Sequence, residues 1–170
     1  AALFALLAAC LVTAKEIEPR GEVDRFVPEA SLVGSARMRV LLWDVYDASL
    51  FAPGGQWQAA RPYALSLAYL RELQGEAIAA RAIEEIRNQG RTDEATLTRW
   101  YRLMRAIIPD VDRDTELLGI ADANQHAIFL RDGELLGRID DPEFTRAFFG
   151  IWLSEATSEP GLRKQLLGDK

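Results

Sequence analysis

The residues best suited to chemistry in this chain are three arginines and two tyrosines. Arg37 and Arg39 stand at the start of a strongly apolar stretch, and Arg71 closes another. A guanidinium presents a rigid fork of donors, which suits a carboxylate or a developing oxyanion. Tyr46 and Tyr69 would add hydroxyl donors to such a site. The competing role for arginine at a strand end is a solvated or salt-bridged one, and residue types alone leave both open. Asp110, Asp112 and Asp114 have the spacing of a calcium loop's first ligands. Thr115 stands where that loop needs glycine and Ala121 where it needs a bidentate glutamate, so the run reads as an acidic turn. His126, the one histidine, follows Asn124 and Gln125 in a second turn and has no histidine or cysteine to join it. Haem ligation through it has nothing further in its favour. A nucleophile elbow, a phosphate-binding loop and a dinucleotide fingerprint are all missing from the sequence.

Composition narrows the chemistry further. With 20 Lys and Arg against 26 Asp and Glu, the 170-residue chain carries a formal charge of −6. That balance argues against a nucleic-acid partner, whose affinity rests on basic side chains. One cysteine excludes an intrachain disulfide and a cysteine zinc cluster, and one histidine excludes a two-histidine metal site. No metal and no cofactor is expected. Hydrophobic residues at 49% and charged residues at 27% are those of a globular fold, and the length fits one domain.

Residues 1–14 depart from this average. They contain no charge, and Thr13 is their one residue outside the hydrophobic set. The run is too short to span a bilayer and reads as the apolar part of a secretory signal peptide, cut short at its start. Val12-Thr13-Ala14 has the small-residue ending of a cleavage site, which would leave residues 15–170 as a periplasmic domain. Leu7-Ala8-Ala9-Cys10 offers a second route, in which Cys10 carries a lipid and the protein is a membrane-anchored lipoprotein. A buried N-terminal helix is the structural alternative.

Hydrophobic periodicity supplies the elements that must position the arginines and tyrosines. Segment 15–33 reads as a leader with an edge strand near 22–27. Residues 36–51 alternate in character as two strands or one long bent strand, closed by Pro53-Gly54-Gly55. Residues 62–70 alternate as well. Tyr63, Leu65, Leu67 and Tyr69 make a bulky face, and Ala64, Ser66 and Ala68 a small one that leaves room for a packed helix or a ligand. Helices are expected over 75–89, ending at Gly90, and from a Thr92 cap to Pro109. Three short strands follow at 116–121, 127–131 and 134–139, the last two joined by an Asp132-Gly133 hairpin turn. Asp141-Pro142 opens a helix with Phe144, Phe148, Ile151 and Trp152 on its buried stripe, and a short helix runs from Pro160 to Leu167. The order predicts an α+β domain in which a large antiparallel sheet is covered by helices.

This arrangement resembles the chalcone isomerase-like family, in its exported bacterial branch. The resemblance rests on Gly34-Ser-Ala-Arg37, then Leu42-Trp-Asp-Val-Tyr-Asp-Ala-Ser-Leu50, then Leu65-Ser-Leu-Ala-Tyr-Leu-Arg71 with Gly75. It continues through Phe129-Leu-Arg-Asp-Gly133, Gly137 and Ile139, and closes with Ala147-Phe-Phe-Gly-Ile-Trp-Leu153, Leu162-Arg163 and Leu166-Leu167-Gly168. It implies an open-faced β-sandwich, a large antiparallel sheet with a layer of helices enclosing an apolar cleft. The family includes enzymes that close a chalcone to a flavanone, fatty-acid-binding relatives and non-catalytic proteins. In the enzymes an arginine after a Gly-rich turn assists the reaction, and Arg37 matches it. The other carry-overs fail: Asp47 stands for a threonine, Ile78 for a tyrosine, Glu85 for an asparagine, and Gly150 for a serine or threonine.

Cyclising a chalcone needs a phenolate held near its acceptor and stabilisation of an enolate. Arg37 without that polar set supports the fold more than the reaction. The resulting expectation is an exported monomer that binds a small apolar or amphipathic ligand, fatty-acid-like, through Arg37, Tyr46, Tyr69 and Arg71. A helix over the small face of the 62–70 strand would wall the cleft. Arg37 would be catalytic only in the alternative of an intramolecular lyase or isomerase. A further alternative is an interaction protein whose cleft is filled by Trp43, Trp100 and Trp152.

Overall fold

The computed structural model of the chain describes residues 21–90 and 93–169. The expected signal peptide, both processing sites and the Thr92 cap lie outside the described residues. Six strands form one antiparallel sheet in which each pairs with its neighbour in sequence, β1 to β6. β1 (Ala30–Val40) and β2 (Trp43–Pro53) are two separate strands, joined by Leu41 and Leu42. Leu41 takes a φ of 55°, which few non-glycine residues adopt. β3 (Tyr63–Tyr69) follows, then α2 (Gly75–Asn88) and α3 (Glu94–Ile107). β4 (Glu116–Ala121), β5 (Ala127–Arg131) and β6 (Glu134–Ile139) complete the sheet, and α4 (Pro142–Leu153) and α5 (Pro160–Leu166) end the fold. Strand alternation thus predicted the sheet, and the helices have the expected order.

Local chemistry explains the boundaries. Asp132 and Gly133 both take positive φ, as a two-residue hairpin requires. Gly90, at φ 97°, follows α2. Asp141 accepts hydrogen bonds from the Glu143 and Phe144 amides, and Pro142 occupies the first turn of α4, where its missing N–H costs nothing. α3 is capped by Asp93, which accepts from the Ala95 amide, one position beyond the expected threonine.

Two expectations need correcting. The edge strand near 22–27 is instead a short helix, α1 (Gly21–Asp24), and a following turn. Val23 and Val27, four residues apart, pack together onto Phe51, Ala64, Leu118, Ile120, Ile128 and Leu130. Burying that pair on the sheet's outer face outweighs the weak strand pattern. The helices also cover the opposite side of β3 from the one expected. The bulky set Tyr63, Leu65, Leu67 and Tyr69 faces α2, α3 and α4, while the small-face residue Ala64 lies under the α1 segment.

The main core lies between the sheet's inner face and these helices. Trp100 is fully buried there, with its indole N–H donating to Asp141 at 3.0 Å. Phe129, Phe144, Phe148, Phe149 and Trp152 make a chain of aromatic contacts with ring centroids 5.2–6.5 Å apart. Among the described residues, no helix is long and apolar enough to cross a membrane.

Candidate ligand-binding site

A cavity of about 360 Å³ lies between the inner face of the sheet and the helices. That is within the usual range for small-molecule sites. Met38, Tyr46, Leu65, Leu67 and Tyr69 form its floor, and Ile78, Ala79 and Ala82 of α2 form much of its roof. Phe148, Phe149 and Trp152 close it from α4. α2 contributes the small residues Ala79 and Ala82 to this lining. Gly75 sets how closely α2 can begin. A Cβ there would come within 2.4 Å of the Ile108 carbonyl oxygen, and the Gly75 amide donates to Asp110 at 2.8 Å. The first aspartate of the acidic turn thus anchors the start of α2.

Of the four expected site residues, the structure brings Tyr46 and Tyr69 to the cavity and leaves Arg37 and Arg71 outside its lining. The tyrosine rings meet edge to face with centroids 5.7 Å apart. The Tyr46 hydroxyl accepts from the Trp152 indole N–H at 3.0 Å. Burial pushes the Tyr46 phenol up to about 12; the Trp152 hydrogen bond opposes this, and the Glu159 and Glu85 carboxylates reinforce it. Burial also pushes Tyr69 up, with a smaller push from Tyr46. Both phenols are therefore protonated donors at neutral pH.

Arg37 projects from the outer face of the sheet, opposite the cavity. It sits across from Asp47 in the β1–β2 register, and its Nε and Nη2 donate to the two Asp47 oxygens at 2.6 and 2.8 Å. Its Nη1 donates to Asp44 at 3.0 Å, and Asp44 also accepts from Arg39. The Asp47 hydrogen bond, followed by its charge, raises the Arg37 pKa, and the Arg39 hydrogen bond holds Asp44 below the usual carboxylate range. The reason is strand periodicity. Shifting a strand by one residue exchanges its faces, and the β1 positions on the cavity side are Met38 and Val40. Arg71 stacks its guanidinium 4.8 Å above the centroid of the exposed Trp43 ring. His126 lies in the β4–β5 turn, its amide bonded to Asp122 and its ring beside Arg138 and Asp140.

The polar wall of the cavity is one that periodicity did not point out. Arg81, Glu85, Ser158 and Glu159 line it where α2 meets the segment before α5. Glu85 is buried, yet one of its oxygens accepts from Arg81 and the other from the Ser158 hydroxyl at 2.8 Å. Ile78 and Glu85, which the resemblance matched to a tyrosine and an asparagine of the enzymes, both line the cavity, while Gly150 lies between two lining residues, Phe149 and Ile151. The arrangement therefore offers an apolar enclosure with phenolic donors. Its one lining guanidinium, Arg81, is engaged by Glu84 and Glu85.

Of the three tryptophans expected to fill the cleft, Trp152 lines the cavity, Trp100 is buried against Asp141, and Trp43 is exposed on β2. None of them occupies the space.

The model of a family described as chalcone isomerase-like matches residues 28–168. No curated protein matches the chain in sequence. Among solved structures, a fatty-acid binding protein of Arabidopsis thaliana superposes with a TM-score of 0.65 at 14% identity. The match covers 82% of this chain and 87% of that one, and at this identity it establishes likeness of fold.

Proposed function

The chain belongs to the chalcone isomerase-like family, and from that premise we propose that it is a binding protein for a small apolar or amphipathic ligand. The ligand would occupy the cavity between the inner sheet face and α2, without being turned over. The observation that carries this reading is the cavity itself: about 360 Å³ of space walled by aliphatic and aromatic side chains with two tyrosines on its floor. An apolar cleft of this kind favours hydrocarbon over water. The fold shared with a fatty-acid binding protein supports a ligand with an apolar chain.

The position of Arg37 argues against the isomerase alternative. Its guanidinium is engaged by Asp47 and Asp44 on the outer face and is not part of the cavity lining. The charge-free run at residues 1–14 supports export to the periplasm, with the Cys10 lipoprotein as the other form. Native mass spectrometry of gently extracted protein, followed by displacement of a fluorescent hydrophobic probe, tests the binding reading. A co-purified apolar molecule and saturable displacement are expected. An empty protein with no displacement by any amphiphile would overturn it, as would chalcone turnover that survives purification. Fractionation of cells making the protein tests export: recovery in the periplasmic or membrane fraction is expected, and recovery in the cytoplasm alone would overturn it.

A further inference from the structure

We infer that the ligand of this cavity presents an uncharged, hydrogen-bond-accepting head, such as a ketone, ester or ether oxygen, and that the site discriminates against carboxylates. This rests on the binding reading above and specifies its ligand.

The charges on the lining are Arg81, Glu85 and Glu159. Arg81 gives one nitrogen to Glu84 and another to Glu85. Glu85 is thereby balanced, and its second oxygen is taken by Ser158. Glu159 is exposed at the cavity's rim and has no cationic partner among the described residues, so the lining carries no unengaged cation and one further negative charge that solvent partly screens. A carboxylate entering an apolar cavity loses its hydration and needs a paired cation in return. Here it would find no unengaged cation, and a carboxylate at the rim.

The hydrogen-bonding groups favour an acceptor of another kind. The Tyr69 hydroxyl has no partner among the described residues, although the side chain is buried. The described polar side-chain atoms that are both sealed and unpartnered are the Trp57 indole nitrogen and the Gln89 amide nitrogen. The Tyr69 oxygen is not one of them, so it borders open space. The Tyr46 oxygen accepts from Trp152 and retains its own proton to give. Two protonated phenols 5.7 Å apart between ring centroids thus offer O–H donors to a neutral oxygen. A carboxylate could accept the same bonds, so charge rather than hydrogen bonding decides between the two heads.

The test compares three ligands of one chain length, lauric acid, its methyl ester and dodecane, by displacement of a neutral fluorescent probe from the delipidated full chain at neutral pH. The ester is expected to bind at least about tenfold more tightly than the acid. Glu159→Gln is expected to narrow that gap by strengthening the acid, and Glu85→Gln to do the same where the variant folds. Tyr69→Phe is expected to weaken the ester and leave dodecane unchanged. Equal or tighter binding of the acid overturns the head-group inference while leaving the binding reading intact. A Glu159→Gln variant whose acid affinity does not move also overturns it. Failure of all three ligands to bind overturns both.

Discussion

Filling the cavity from the helix side should stabilise the protein and abolish binding together. Ala82 is buried on α2, and its methyl group lines the cavity. Ala82→Leu adds three carbons to a wall that faces about 360 Å³ of space. At about 0.8 kcal/mol for each buried methylene equivalent, the ligand-free protein gains about 2 kcal/mol. For a domain of this size that is a rise of roughly 4–8 °C in Tm. The same side chain takes the volume a ligand would use, so probe affinity should fall by about tenfold or more. Differential scanning calorimetry on delipidated protein reads the first effect and probe displacement the second. An internal control is the thermal stabilisation by ligand, about 2.7 kcal/mol at a hundredfold excess over Kd, which the variant should lose. A wall already packed against a neighbour would give the opposite sign, a loss of about 1–3 kcal/mol from overpacking. A fall in Tm together with unchanged probe affinity would refute the cavity as a ligand site.

Other substitutions test the remaining parts of the account. Arg37→Ala should leave ligand affinity unchanged in the displacement assay, because its partners are Asp47 and Asp44 on the outer face; a clear loss would place it at the site after all. Gly34→Ala would put a Cβ within 2.2 Å of the Gln165 carbonyl oxygen, so α5 must move from β1, with a cost of about 1–3 kcal/mol in urea unfolding. Burial pushes the Asp141 pKa up, but the Trp100 indole, the Phe144 and Glu143 amides and Arg99 outweigh it, leaving it below the usual carboxylate range. Its contribution to stability is therefore present above the unfolded carboxyl pKa near 4 and is lost as pH falls through the lower folded value. Asp141→Asn, which keeps a capping side chain, should flatten that acid limb in melts taken from neutral pH downward. Tyr46 runs the other way: its pKa is raised to about 12, so its contribution is full below the ordinary phenol value near 10 and is lost as pH rises through the folded one. Tyr46→Phe should remove the corresponding slope from alkaline melts.

The sheet was legible because its strands announce themselves by alternation and its turns by chemistry. β4, β5 and β6 occupy the expected residues, with Asp132 and Gly133 at the positive φ values their turn needs. The α1 segment is not legible in this way, because two valines four residues apart carry too little pattern to tell a helical turn from an edge strand. The site was legible in part. Tyr46 and Tyr69 follow from the inward parity of β2 and β3, whereas Arg37 stands out by its chemistry alone, and its parity on β1 sends it outward. The resemblance could not correct this, since a one-residue slip in a strand keeps every motif and exchanges the two faces. Glu85 and Ser158 are 73 residues apart, and nothing local relates them. Only the tertiary packing of α2 against the segment before α5 makes them one wall.

Methyl-labelled protein titrated with a neutral amphiphile would test the central claim most directly, because the lining offers probes on several elements. Leu65 and Leu67 on β3, Ile78 on α2, Met104 on α3 and Ile108 just after it all carry observable methyl groups. Saturable shifts are expected at these methyls together, with none at Ile128 and Leu130, which pack on the outer face. Shifts confined to the outer-face methyls, or none at the cavity methyls at saturation, would contradict the account.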